Sequence, residues 1–354
     1  MRDVLKRMGL RPLTIATSEY NIKLLEAERL SREVGKSLWL TGPVLINHGY
    51  DWWNRIESRN LGARESPRKV VVDPDLESEG DSGRYYPLSN TDTASRLPFV
   101  RVFSLDTKRY VFADVEDLVP YEYDQKAIDN LHLPEEMVNI LNKVFTAPSE
   151  AVFGDLIAGK HDGLVILASG NPGVGKTLTA EVYAELTQRP LYVLELGELG
   201  TNASQVEENL NRVFTRVARW DAVLQFDECE IFLAKRGNDL DRSAIVGIFL
   251  RLLDYYRGIL FLTTNRPEVL DYAILSRVTL KLEYPDLDAA ARISIWRTML
   301  GIAQVGNLSD TDLEPLAELE LNGRQIRNLV RLTTVIMDNQ SVSVDKILEL
   351  AKHS

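Results

Sequence analysis

The sequence is poor in cysteine: among its 354 residues Cys229 stands alone. A single cysteine closes no internal disulfide, which excludes a disulfide scaffold and fits a reducing, cytoplasmic setting. Long apolar runs are also missing. The best candidate, Leu38–Ile46, is short and contains Pro43, far below the ~20 residues a membrane helix needs, so no membrane association is expected. Met1 to Leu13 mixes Arg2, Asp3, Lys6, Arg7 and Arg11 with apolar residues, and without a continuous apolar core it is not a secretory signal. There is no repeat and no low-complexity tract. A basic excess is absent too: 41 Lys and Arg stand against 52 Asp and Glu, for a net charge of −11. Residues 1–120 balance at 18 of each sign, so the remaining 23 basic and 34 acidic residues place the whole excess in the C-terminal two-thirds. An acidic body repels phosphate backbones, which argues against nucleic acid as a partner. What remains is an ordinary composition, 45% apolar and 26% charged, in a chain long enough for two or three domains with their own cores.

The pattern changes along the chain. Ser18–Lys36 carries Ile22, Leu25, Ala27 and Leu30 at helical spacing. Glu65–Arg96, with Pro67, Pro74 and Pro87 among Ser, Asp, Glu and Gly, reads as a long loop. Phe99–Phe103 and Tyr110–Ala113 alternate around Leu105–Lys108, the signature of a β-hairpin. Three of the five tryptophans, Trp39, Trp52 and Trp53, lie in this first third and read as aromatic core of a small α+β domain. Leu133–Phe145 and Ser149–Ala158 then look helical. Short apolar runs follow at Leu164–Ala168, Leu191–Leu196, Ala222–Phe226, Ile259–Thr263 and Leu280–Tyr284. They read as buried parallel strands, with helices near 177–188, 204–219, 240–256 and 268–276: a doubly wound α/β sheet. After Pro285 only helical patterns remain, at about 287–302, 309–319, 323–338 and 343–352. The expected domains are 1–125, 126–285 and 286–354.

The most specific signal is Gly170-Asn171-Pro172-Gly173-Val174-Gly175-Lys176-Thr177, followed by Leu178. It fits G-x-x-x-x-G-K-[ST], a loop that cradles phosphate. Gly173 and Gly175 let backbone N–H groups curl round an anion without a Cβ in the way, and the next helix aims its N-terminus at the same point. Lys176 suits the β- and γ-phosphates, and the Thr177 hydroxyl suits Mg²⁺. ATP and Mg²⁺ are therefore the expected ligands. About fifty residues on, Val223-Leu224-Gln225-Phe226 is an apolar strand ending in Asp227 and Glu228. Asp227 is placed to orient the Mg²⁺ shell and Glu228 to act as general base on water. Gln225 sits where an apolar residue would be easier to bury. Cys229 reads as a small core residue, since no histidine lies within 60 residues of it.

With these elements in order, the chain resembles an AAA-type ATPase of the AAA+ superfamily. Phe261–Pro267 and Leu270–Arg277 resemble that family's second region of homology, and the likeness runs from about Leu133 to Thr334. Phrases such as Gly170–Glu181, Phe232–Gly237, Ile259–Arg266 and Leu321–Asn328 are most similar to single-ring AAA proteins with a divergent N-terminal domain. The resemblance implies a five-stranded parallel sheet with a small C-terminal helical lid, preceded by the α+β domain. It implies Asn265 as the residue that senses the γ-phosphate or the attacking water, and Arg277 as an arginine finger for a neighbouring subunit. Arg324 is the implied second sensor, with Arg327 as competitor, and Asp155 with Ile157 the implied adenine contacts. A homo-oligomer, typically a hexamer, and a protein client taken through the N-terminal domain follow from the same likeness.

The chain departs from the family twice. Ser276 occupies the site of the first of two arginines near the finger. The stretch Glu198–Gln205, where peptide-threading rings place a gripping aromatic, has none. The expected activity is therefore ATP-driven remodelling of a protein or assembly, by a ring that grips weakly or works by changing shape. A nucleic-acid loader and a nucleotide-dependent scaffold switch are the competing classes. The first would need a basic surface, and the second would have no need of Glu228.

Overall fold

A computed structural model describes residues 26–27, 29–30, 32–41, 67–73, 99–146, 163–200, 202–235, 240–303, 309–336 and 344–352. The chain forms two compact units: Met1–Glu122 with Arg219–Asp221, and Tyr123–Ala218 with Ala222–Ser354. Among the described residues no helix is long and apolar enough to cross a membrane.

The first unit is an antiparallel sheet of β1 (Ser37–Leu40), β2 (Arg68–Val72), β3 (Phe99–Ser104), β4 (Arg109–Asp114) and β5 (Leu118–Pro120), in the order β4-β3-β2-β1-β5. The expected hairpin is β3–β4, with Phe103 facing Tyr110 in register. The stretch Glu65–Arg96 is not all loop, because Arg68–Val72 is the central strand β2. Three consecutive valines, stiff at χ1 and suited to a pleated surface, outweigh the flanking prolines, which lie outside the strand and bracket it. Alternate residues Leu38, Leu40, Val70, Val72, Val100, Val102 and Val111 fill one face together with Ala27 and Leu30. Trp39 packs on Tyr121 with ring centroids 5.2 Å apart. Asp73, fully buried, accepts from Tyr110 Oη at 2.6 Å, from Trp220 Nε1 at 3.1 Å and from Arg219. A buried carboxylate is tolerable only with such partners. Trp52, Trp53, most of Ser18–Lys36 and Ser149–Ala158 lie outside the described residues.

The second unit holds a parallel sheet of β6 (Leu164–Ser169), β7 (Leu191–Leu194), β8 (Val223–Phe226), β9 (Ile259–Thr264) and β10 (Leu280–Glu283), in the order β10-β6-β9-β8-β7. Strand β9 lies between the strand ending in the glycine loop and the strand ending in Asp227. Helices α1 (Glu135–Thr146), α2 (Lys176–Leu186), α3 (Leu196–Leu199), α4 (Ala203–Arg219), α5 (Glu230–Leu233), α6 (Leu240–Leu253) and α7 (Tyr272–Leu275) join and cover the strands. Alternation along β8 feeds both faces. Val223 packs with Ala180 and Ala184 of α2, and Phe226 meets Phe249 of α6 at 6.2 Å between centroids. Helices α8 (Ala289–Ile302), α9 (Asp310–Ala317), α10 (Gly323–Ile336) and α11 (Val344–Ala351) complete the unit. They enclose their own core of Trp296, Leu300, Leu313, Leu316, Ile326, Leu329, Val330 and Ile347.

Candidate active site

The site begins where β6 ends. Its six residues, Leu-Val-Ile-Leu-Ala-Ser, are buried beyond the first, so the chain emerges at a fixed point on the sheet's C-terminal edge. This is where open α/β sheets bind ligands. The following loop turns back through left-handed glycines. Gly175, at φ +104°, caps α2 from a conformation a side chain resists even though nothing lies within 4 Å of its would-be Cβ. Gly173, at φ +79°, faces a second constraint: a Cβ there would come within 2.6 Å of the Asn322 side chain. Its carbonyl accepts from Gly323 N–H at 2.9 Å. The first turn of α10 is thereby tied to the loop. Asn322 and Gln325 exchange side-chain hydrogen bonds with each other's backbone N–H, a reciprocal cap that fixes this end of the helix.

Lys176 is buried, with its ammonium donating to the carbonyls of Gly170 at 2.8 Å and Asn171 at 2.7 Å, and to Asn265 Oδ1 at 2.8 Å. All three donors of the charge are used within the site. Burial pushes its pKa down, an effect opposed by the carboxylates of Glu230, Asp227 and Glu228 and reinforced by Arg324. Asn265, at the end of β9, thus lies against the lysine. Its backbone N–H donates to Glu230 Oε1 at 3.3 Å.

Asp227 follows β8. Its Oδ1 accepts from Thr177 Oγ1 at 3.3 Å and from Thr263 Oγ1 at 2.9 Å, and its Oδ2 accepts from Gln225 Nε2 at 2.9 Å. Glu228 stands at φ +49°, a strained backbone for a non-glycine residue, held by a hydrogen bond from its N–H to Thr263 Oγ1 at 3.2 Å. Glu228 is exposed and lines a cavity.

Lys176, Thr177, Asp227, Glu228 and Asn265 line this one cavity, of about 500 Å³. Its lining also includes Leu131, His132, Leu287, Ile295 and Met299. Apolar side chains together with cationic and glycine-loop groups suit a heteroaromatic base joined to a polyphosphate. Arg324 and Arg327 reach the cavity from α10, and Glu181 from α2. Burial raises the Glu181 pKa, with a further push from Asp227 and an opposing pull from Arg327. Among the described residues no group of three or more His, Cys, Asp or Glu could hold a metal by itself. Thr177 and Asp227 supply one hydroxyl and one carboxylate, hard oxygen donors that suit a Mg²⁺ completed by phosphate and water.

Three expectations stand apart from this cluster. Arg277 does not line the cavity: its guanidinium grips Asp254 through Nε at 2.6 Å and Nη2 at 3.2 Å, and donates from Nη1 to Ala273 O at 3.0 Å. Asp155 and Ile157 lie outside the described residues. The cavity-lining residues Asn130, Leu131, His132 and Glu181 carry no signal of a site in the sequence. Asn130 ends a 3-10 turn, Ala127–Asn130, and Leu131 and His132 follow it, far from the glycine loop in sequence. Their only local signal is Leu-His-Leu before Pro134, and nothing in it points to a cavity. Burial lowers the His132 pKa, and its buried Nε2 has no hydrogen-bond partner among the described residues.

Residues 166–286, from β6 past β10, match the family described as ATPase family associated with various cellular activities (AAA). These residues form an AAA domain. The chain is 27% identical over 194 residues to the ATPase family AAA domain-containing protein FIGL1 of Arabidopsis thaliana, covering 51% of this chain and 28% of that protein. It is 33% identical over 118 residues to the ATPase family gene 2 protein homolog B of Homo sapiens, covering 31% and 16%. It is 27% identical over 199 residues to spastin of Naegleria gruberi, covering 52% and 38%. The chain thus spans less than two-fifths of the length of each. The matched residues hold most of the parallel sheet, and the preceding sheet unit and the helical tail lie outside them.

Proposed function

We propose that this chain binds and hydrolyses ATP, assembles into a ring of its own copies, most simply six, and uses the cycle to remodel a protein client. The observation that carries the reading is the convergence of Lys176, Thr177, Asp227, Glu228 and Asn265 on one cavity. In it, residues 126–285 perform the chemistry, 286–354 act as a lid, and 1–125 meet the client in the cytoplasm.

Each side chain then has a task that its position suits. The backbone N–H groups of the Gly170–Leu178 loop, in which Pro172 has none, and the N-terminus of α2 receive the phosphates. Lys176 exchanges its loop carbonyls for β- and γ-phosphate oxygens. Thr177 and Asp227 hold Mg²⁺, which when bound neutralises phosphate charge. Glu228 takes the proton of the attacking water. Asn265, released from Lys176, orients that water or the γ-phosphate. Arg324 adds positive charge from the lid side, and Asp155 and Ile157 join Asn130–His132 around the adenine. Arg277, outside the cavity of its own chain, serves the γ-phosphate of a neighbouring copy, where such a cation is worth several orders of magnitude in rate. The tie between Gly323 and Gly173 supports a lid that moves with the phosphate loop. The absence of an aromatic from Glu198 to Gln205 supports work by shape change rather than by threading.

The test uses Glu228→Gln. The variant should bind ATP with Mg²⁺ as the unaltered chain does, lose turnover ~100-fold or more, and shift to about six copies in mass photometry when ATP is trapped. Near-normal turnover would remove Glu228 from its role. Absence of nucleotide binding in the unaltered chain would remove the proposal.

A further inference from the structure

Strand β8 buries one side chain that its surroundings do not favour. Gln225 is fully buried, and by alternation it shares the face of Val223 in the layer packed against α2. Its backbone is in register with Val193 on one side and Phe261 on the other. Only half of its amide is satisfied. Nε2 donates to Asp227 Oδ2 at 2.9 Å, whereas Oε1 is buried with no partner among the described residues. An orphaned buried acceptor is a cost that an apolar side chain at this position would not bring. The amide cannot simply be reversed, since that would set its oxygen against a carboxylate oxygen.

The return lies at Asp227. Thr177 and Thr263 both address Oδ1, and Gln225 is the side chain that addresses Oδ2. If Thr177 turns its hydroxyl to a cation, Thr263 on one oxygen and Gln225 on the other are the two donors that stay. Two donors on different oxygens fix the plane of a carboxylate; one leaves it free to swing.

We propose that Gln225 is a positioning residue for the divalent cation of the nucleotide, acting through the carboxylate of Asp227. The inference rests on the nucleotide reading above. Outer partners of this kind commonly set metal affinity by 10- to 100-fold. Gln225 touches neither nucleotide nor cation and is therefore not a catalytic residue.

The experiment titrates Mg²⁺ into the full chain with a fluorescent N-methylanthraniloyl ADP and reads nucleotide binding, alongside thermal melting. The variants are Gln225→Met and Gln225→Leu, each of which removes the donor and the orphaned acceptor together. Both should keep the nucleotide affinity measured in EDTA, melt no lower than the unaltered chain, and need about tenfold more Mg²⁺ for half-maximal effect. A purely structural glutamine would instead lower the melting temperature and leave the Mg²⁺ midpoint in place, and a midpoint within twofold of the unaltered chain in either folded variant overturns the proposal. If the unaltered chain binds the probe but shows no dependence on Mg²⁺, this inference fails and nucleotide binding stands. If it does not bind the probe at all, the nucleotide reading fails and takes the inference with it.

Discussion

Glu181 shows how closely charge is balanced at the scale of a single residue. It lines the cavity from α2, and both burial and Asp227 oppose its ionisation, with Arg327 in partial compensation. Below the ordinary value of 4.5 both folded and unfolded chains keep the proton, and no stability is lost. As pH rises past that value the unfolded chain ionises first. The folded state then loses stability until its own, higher pKa is passed. Glu181→Gln abolishes the titration. Its melting temperature relative to the unaltered chain, measured without nucleotide, should therefore be more favourable at pH 8 than near pH 4. A difference that does not change with pH would mean that Glu181 carries no such penalty. Cys229 feels the same push: fully buried, its thiol pKa is pushed well up by burial, and it stays a packed, neutral group.

At the scale of elements, local chemistry and tertiary assembly were not equally legible. The five parallel strands were readable because each is a short apolar run between polar turns, and in a sheet covered on both faces that pattern has little ambiguity. The glycine loop was readable because phosphate cradling demands fixed residue types at fixed spacing. Strand β2 was not: Val70-Val71-Val72 lies among prolines and acidic residues, and only its pairing with Ser37–Leu40 and Val102–Ser104 makes it a strand. The rest of the cavity lining was hidden for a similar reason. Leu131 and His132 line the same cavity as Ile295 and Met299, more than 160 positions away in sequence, and no local periodicity encodes that convergence. Gln225 was visible as an anomaly, but its hydrogen bond to Asp227 was not. The helical tail offers a test of element-level packing. Trp296 is fully buried at the centre of the α8–α11 core and donates from Nε1 to Leu316 O at 3.2 Å. Trp296→Ala opens a large cavity in that core, a loss of about 3–5 kcal/mol. It should melt the helical tail at lower temperature in a calorimetric scan, and an unchanged scan would contradict the packing described.

At the scale of the whole molecule, the central question is whether one chain holds a complete site. The cavity gathers a glycine loop, two carboxylates and an amide. The cation expected to complete it, Arg277, is instead clasped by Asp254 with 27% and 17% of the two side chains exposed. In the proposed shared site, a phosphate brought by a second copy has to displace Asp254 from this largely covered, bidentate pair. The acidic excess of the C-terminal two-thirds makes a local cation at that position more valuable, because little else there draws in an anion. The measurement that bears most directly on this account is ATP turnover in a mixture of two inactive variants, Glu228→Gln and Arg277→Ala. Each alone should hydrolyse ATP at least ~100-fold more slowly than the unaltered chain while still binding it. Mixed, they should recover a substantial part of the rate, because an intact base from one chain meets an intact arginine from the other. A mixture as silent as its components, or an Arg277→Ala chain that turns over normally by itself, would contradict a site shared between copies.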